Sequence, residues 1–369
     1  MKTKQIRRSL LVLFFCGFLA AASLLTATSL LAACGKKEQN ATPPPQGASS
    51  AESDDTTEPV DSAKPDDSTD SVEKLDIAIA ALKGPTAIGM VQVMDQAEAD
   101  STANHYQFTL AGTADEITPK LVSGELAMAA VPCNLASVLY NNSEGKVRLA
   151  AINTLGVLYI VETGETIQSV EDLKGKTIYS TGKGTTPEYT LNQLLSLAGL
   201  DPAKDVTIEY KSEATEVAAV LSEAEDAIAM LPQPYATTVM MNNDKVRIAL
   251  DVTKEWEARN EDSTVVTGVL VVNTAFAEEH PEAVEAFLEE YQASVDFVNA
   301  NVEEAAALVE KFNIFKAAVA AKAIPYCNIT LITGEDMKQK ASAYLEVLFG
   351  QNPKSVGGKL PEEEFYFHH

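Results

Sequence analysis

The sequence predicts an α/β protein of two lobes, and three observations carry that reading. From Lys74 onward, short apolar runs alternate with segments of helical apolar spacing, the order that builds mainly parallel sheets flanked by helices. After residue 161 the alternation restarts as a second α/β unit. The length of 369 residues suggests about two domains at roughly 150 residues each, large enough for separate cores.

In order, the first unit reads as a strand over 75–82, a helix over 86–94, a strand over 108–110, a helix over 117–123 closed by Gly124, and a strand over 126–131. An apolar run over 150–161 reads as one strand leading onward. The second unit reads as strand 177–180, helix 187–198, strand 206–210, helix 215–221, strand 227–230 and helix 235–241. Strands over 246–252 and 265–272 follow. His280-Pro281 then opens a long helix, proline being favoured in a first turn, and 301–348 is mostly helical.

The balance of 46% hydrophobic and 22% charged residues is that of an ordinary globular chain and excludes collagen, coiled coil and polytopic membrane classes. The net charge of −25 repels phosphate backbones, which argues against nucleic acid as a partner.

That charge is unevenly placed. Residues 1–33 hold Lys2, Lys4, Arg7 and Arg8 and no acid, and the basic MKTKQIRR precedes a mostly apolar run ending in small residues. This is the build of a secretory signal; the run is also long enough for a membrane anchor. Residues 34–73 then change to Ala, Pro, Ser, Thr, Asp and Glu, with Pro43-Pro44-Pro45 and a scatter of acids. Such composition cannot bury enough apolar area to offset chain entropy, so it reads as a disordered tether. Of the four cysteines, Cys16 and Cys34 belong to this N-terminal part. Cys133 and Cys327 show neither CxxC nor metal spacing; they read as free thiols, with a disulfide as the other possibility in an exported chain.

In open α/β sheets, ligands sit beyond the carboxyl ends of strands, where helix N-termini present unpaired N–H groups. Four strand-to-helix junctions therefore stand out: Gly84, Pro85 and Thr86; Pro132, Cys133 and Asn134; Gly182, Lys183, Gly184, Thr185 and Thr186; and Gln233, Pro234 and Tyr235. Singly, each is an ordinary capped helix start. Two per unit, all rich in Gly, Pro, hydroxyls and amides, point to a small-molecule cleft. The glycine turn of the third suggests free N–H donors beside the Lys183 ammonium. Glu213, Glu216 and the single Trp256 are further contact candidates, with a charged helix start and a core anchor as the plainer readings. Nucleotide motifs fail: Val170 replaces the first P-loop glycine before Gly175-Lys176-Thr177, and Pro187 replaces the third glycine after Gly182 and Gly184.

Leu31-Ala32-Ala33-Cys34 resembles the lipobox of bacterial lipoproteins, which implies cleavage before Cys34 and its acylation. IQSVEDLKGKTI at 167–178, the Gly182–Pro187 turn and AIAMLPQPY ending at Tyr235 resemble substrate-binding proteins of ABC importers, in particular the nitrate/sulfonate/taurine and thiamine-pyrimidine-like group. The resemblance spans about 74–365. It implies a two-lobed type II periplasmic-binding-protein fold with a two-segment hinge, lobe I from 74–155 and 266–369 and lobe II from 156–265. It also implies ligand capture in the cleft, delivery to a membrane permease, an extracytoplasmic lipid-anchored location on the cell surface or periplasmic face, a monomer, and neither catalysis nor cofactor nor metal. The junctions hold no arginine, and their amides and hydroxyls suit a neutral polar or heterocyclic ligand as well as a sulfonate- or nitrate-type anion. Two other classes compete: a thiamine-pyrimidine-synthase-like enzyme, which would need a cysteine cluster and placed histidines, and a non-transport surface lipoprotein, which would need repeats or aromatic platforms. Neither set of features is found in the sequence.

Overall fold

The computed structural model describes residues 74–368, which lie in one compact unit. The expected signal at 1–33, the tether at 34–73 with Cys34, and His369 lie outside the described residues. The chain first lays down β1 (Asp76–Leu82), α1 (Pro85–Ile88), α2 (Val91–Glu98), β2 (His105–Ala111), α3 (Thr118–Ser123), β3 (Met128–Pro132), α4 (Cys133–Asn142) and β4 (Val147–Leu155). It crosses to β5 (Leu158–Thr163), β6 (Thr177–Ser180), α5 (Thr186–Leu197), β7 (Thr207–Tyr210), α6 (Ala214–Glu223), β8 (Ile228–Pro232), α7 (Tyr235–Asn242), β9 (Val246–Asp251) and α8 (Val252–Glu257). It returns through β10 (Val266–Asn273), α9 (Thr274–Glu279), α10 (Pro281–Ala300), α11 (Val302–Lys311), α12 (Ala317–Ala323), β11 (Ile329–Ile332) and α13 (Gly334–Gln351).

Two sheets result, ordered β11-β4-β10-β3-β1-β2 and β7-β6-β8-β5-β9. The run expected as one strand over 150–161 is two strands in different sheets, broken at Gly156. Both sheets are mixed rather than mainly parallel: β1 pairs in parallel with β2 and β3, and β6 with β7 and β8, whereas β10 and β5 are antiparallel to both neighbours. The cause is the crossover. A strand that enters a lobe from the hinge runs away from the cleft, while β1, β3, β6 and β8 run toward it.

The central strands are covered on both faces, which explains their continuous apolar runs. In β10, Leu270 and Val272 face a core built with α2, α10 and α11, while Val269 and Val271 face one built with α4 and α13. In β5, Leu158 and Ile160 face the α5 side, and Tyr159 and Val161 the side of α6 and α7. Cys133 and Cys327 are buried free thiols in different cores of lobe I, so they do not pair.

Local chemistry accounts for the SVEDLKGKTI stretch. The Asp172 carboxylate accepts from the Ser169 N–H at 2.8 Å, and the two residues form a capping box around a 3-10 turn. Val170 and Leu173 anchor that turn in the lobe II core, and Gly175 supplies φ +75. Glu171 reaches across to Arg259 in the return segment at 3.1 Å.

Candidate functional site

Between the lobes lies a cavity of about 360 Å³, within the usual size range for small-ligand sites. Asn134, Thr185, Thr186 and Thr267 supply its polar groups, and Pro132, Leu135, Val157, Leu158, Pro187, Pro232 and Val265 its apolar walls. No ionisable side chain lines it.

The cavity draws on α4 of lobe I and α5 of lobe II, and one hydrogen bond spans them: the Thr186 hydroxyl donates to Asn134 Oδ1 at 3.1 Å. Asn134 is held from behind, its Nδ2 donating to the Ser355 carbonyl at 3.2 Å. Helix α5 is tied to lobe I further along. Thr190 Oγ1 and Tyr344 Oη share a buried hydrogen bond at 3.2 Å, and Asn352 Nδ2 donates to Tyr189 Oη at 2.8 Å. The cavity wall formed by α5 is therefore fixed against α13 by side chains that never touch the cavity.

Of the expected residues, Pro132, Asn134, Thr185 and Thr186 line the cavity together. Cys133 does not. As the first residue of α4 its side chain points into the core, and burial pushes its thiol up to about 12. The glycine turn lacks the free donors expected of it at two positions: Thr185 N–H bonds the Gly182 carbonyl at 3.0 Å, and Gly184 N–H bonds the Glu188 carboxylate. Gly182 has φ +75, and a Cβ there would come within 2.7 Å of Thr185 Oγ1, so only glycine closes this turn. Lys183 is exposed, with its Nζ 5.9 Å from the centre of the Tyr210 ring.

Neither the Gly84, Pro85, Thr86 group nor the Gln233, Pro234, Tyr235 group lines this cavity. Helices α1 and α7 pack on the opposite faces of their sheets from α4 and α5. Of the four junctions, only those at Asn134 and at Thr185 and Thr186 meet across the lobes. Thr86 is buried, its hydroxyl donating to the Leu82 carbonyl at 2.9 Å and its own carbonyl accepting from Asn153 Nδ2 at 3.2 Å. Gln233 is 2% exposed; its Oε1 accepts from Thr237 Oγ1 at 2.7 Å while its Nε2 has no partner. Tyr235 is exposed at the start of α7. Glu213, just before α6, and Glu216, in its first turn, are exposed, and Trp256 is fully buried beside Tyr344 with ring centres 6.1 Å apart.

Leu135, Pro187 and Pro232, next to the expected residues, and Val157, Leu158, Val265 and Thr267 complete the cavity; the last four belong to no strand-to-helix junction, so junction reading missed them. They lie at or beside the starts of β5 and β10, which abut the cleft because those strands run away from it. Gly268 carried a usable signal: a glycine inside an apolar strand marks close approach. A Cβ there would fall 2.5 Å from both Asn153 Oδ1 and Thr86 Cγ2.

The two mixed sheets, the double crossover and the cleft between them define a two-lobed binding-protein fold. Comparison with known proteins agrees. The fold is similar to that of an ABC transporter structure from Parabacteroides distasonis, with TM-score 0.66 and 23% identity over 79% of this chain and 98% of that one. It is also similar to the periplasmic aliphatic sulphonate binding protein of Escherichia coli, with TM-score 0.63 and 16% identity over 79% and 92%. Residues 146–305, which hold lobe II and its return, match the family described as NMT1/THI5 like. A provisionally named binding protein of Brucella abortus is 29% identical over 174 residues, 47% of this chain and 52% of that protein. The chain spans about half the length of the curated relatives it matches.

Proposed function

We propose that this chain is the solute-capturing component of an ABC importer, which takes a small polar or heterocyclic organic molecule between its lobes and hands it to a membrane permease. The observation that carries the reading is the interlobe cavity, whose two walls belong to different lobes and are bridged by Thr186 and Asn134. A ligand touching both walls binds the closed arrangement better than the open one, and that difference in affinity is what shifts the lobes. The apolar walls exclude water from the ligand, and the amide and hydroxyls orient it. Pro132, Asn134, Thr185 and Thr186 are its contacts from the expected set.

No histidine, cysteine or carboxylate lines the cavity, which favours binding over an enzyme on the same fold. Among the described residues no helix is long and apolar enough to cross a membrane. The lipobox resemblance at Leu31–Cys34 supports assigning attachment to Cys34, acylated after cleavage of 1–33, with 34–73 as the tether that lets the lobes reach the permease from an extracytoplasmic face.

Thermal denaturation against sulfonates, pyrimidines, purines, amines and vitamins tests the binding reading, since a ligand at 100 times its Kd adds about 2.7 kcal/mol. A hit whose shift is reduced in Asn134→Ala and in Thr186→Val supports it. A hit unaffected by both variants, or no hit at all, refutes this site. Palmitate labelling that persists in Cys34→Ala would disprove the anchor.

A further inference from the structure

We infer that the groove between α7 of lobe II and α12 of lobe I is a second ligand site, separate from the interlobe cavity, which takes a small amphiphilic anion: an alkyl chain ending in one carboxylate. The groove has a volume of about 420 Å³, within the usual range for small-ligand sites. Met240 and Met241 form its lobe II wall, and Ala321, Pro325 and Tyr326, on α12 and the turn after it, form its lobe I wall. Tyr235, Met241 and Tyr326 are the exposed large hydrophobic side chains among the described residues, and all three stand on α7 or across the groove from it. Scattered singly, such side chains carry no message; gathered at one groove, they mark a binding surface. Methionine suits such a wall, being flexible and polarisable enough to follow an alkyl chain.

The groove is held in shape across the lobes. Tyr159 of β5 donates its hydroxyl to the Tyr326 carbonyl at 2.8 Å, and the two rings meet edge to face with centres 6.0 Å apart. Thr237 supplies a hydroxyl to the lining, but it is buried and donates to Gln233 Oε1 at 2.7 Å, so its proton is already spent. The charged group of the lining is the Lys322 ammonium, which has no ion-pair partner among the described residues. No carboxylate lines the groove, and neither 227–243 nor 312–334 contains an acid, in a chain that has 53. The grooves at Glu285 and Glu289 and at Glu98 carry carboxylates instead. Apolar walls beside an unpaired ammonium complement a chain with one negative end: the alkyl part leaves water against methionine, proline and tyrosine, and the carboxylate pairs with Lys322. Lys322 is exposed, so the pair sets the preferred sign of charge more than it adds affinity.

The test uses the purified full chain, isotope-labelled at the methionine methyl groups, with octanoate as the probe in solution NMR. The Met240 and Met241 resonances, assigned with Met240→Leu and Met241→Leu, are expected to move saturably with a Kd on the order of 1 mM, while those of the buried Met90 and Met128 stay in place. Octylammonium carries the same chain with the opposite charge. The net charge of −25 favours a cation over an anion at long range, so octylammonium binding at least about threefold more weakly than octanoate isolates the effect of Lys322. Lys322→Gln should abolish that preference, and Met241→Asp, which puts a carboxylate in the groove, should weaken octanoate at least about tenfold; melting curves confirm that both variants fold. No saturable movement of either methionine up to about 20 mM octanoate, octylammonium bound as tightly, or an octanoate Kd unchanged by Lys322→Gln overturns the inference. The solute-binding reading is independent of all these outcomes, since it is tested by the thermal panel and the Asn134 and Thr186 variants.

Discussion

Gly156 is the point at which the two crossovers touch, and Gly156→Ala is the sharpest test of how the lobes are joined. A Cβ at this position would lie 1.8 Å from Thr253 Oγ1, 3.0 Å from Val265 Cβ and 3.1 Å from Thr253 Cβ. All three contacts are to the return segment, and Thr253 is itself buried. Rotating the threonine hydroxyl away removes the worst contact but leaves the two Cβ contacts, so the crossovers must also part by several tenths of an ångström. Overpacking of this kind costs about 1–3 kcal/mol, to which an off-rotamer threonine adds about 1. Alanine returns about 0.4–1 kcal/mol by restricting the unfolded chain, which leaves a net loss of about 2–3 kcal/mol. Thr253 Oγ1 has no hydrogen-bond partner, so Thr253→Ala alone forfeits only packing. In a Thr253→Ala background, Gly156→Ala should therefore cost about 1 kcal/mol, a coupling of about 1–2 kcal/mol between the crossovers. Urea unfolding of the four proteins of the cycle, with the slope against urea checked for constancy, measures this directly. A loss below about 0.5 kcal/mol for Gly156→Ala, or no relief from Thr253→Ala, would refute the close packing of the crossovers.

Two further outcomes are expected. Tyr344→Phe should cost about 1–2 kcal/mol, because it strands the buried Thr190 hydroxyl, and adding Thr190→Val should recover part of that loss; equal stability of wild type and Tyr344→Phe in urea would contradict the interlobe bond. Burial pushes the Cys133 and Cys327 thiols up to about 12, so mass-mapped alkylation at pH 8 should leave both unmodified until the protein unfolds. Because their folded pKa lies above the unfolded value of about 8.5, the stability they contribute is complete below that pH and is lost as pH rises toward 12.

Much of this protein was legible from local pattern. Strand 177–180 and the starts of α7 and α10 came out to the residue because Thr177–Ser180 is bounded by glycine turns and prolines open or precede the helices. The junction at Asn134 and that at Thr185 and Thr186 were readable for the same reason, since helix starts announce themselves by residue type. What escaped was everything set by strand direction. Val157 and Val265 are unremarkable valines whose place beside the cavity follows only from β5 and β10 running away from the cleft. The short β11 escaped too, as four residues are too few to establish a period, and its place at the sheet edge comes from pairing with β4.

By itself, then, the sequence determined two α/β units, a basic N-terminal stretch followed by an acidic one, and a set of polar helix starts, because periodicity, charge and capping are properties of neighbouring residues. Tertiary structure decided which of those starts meet. Asn134 faces Thr186 while Thr86 and Gln233 are withdrawn to other sheet faces, and Glu188 turns back onto Gly184. The Asn134–Thr186 contact joins groups brought together by sheet order and lobe closure, for which no local pattern in the chain carries a signal.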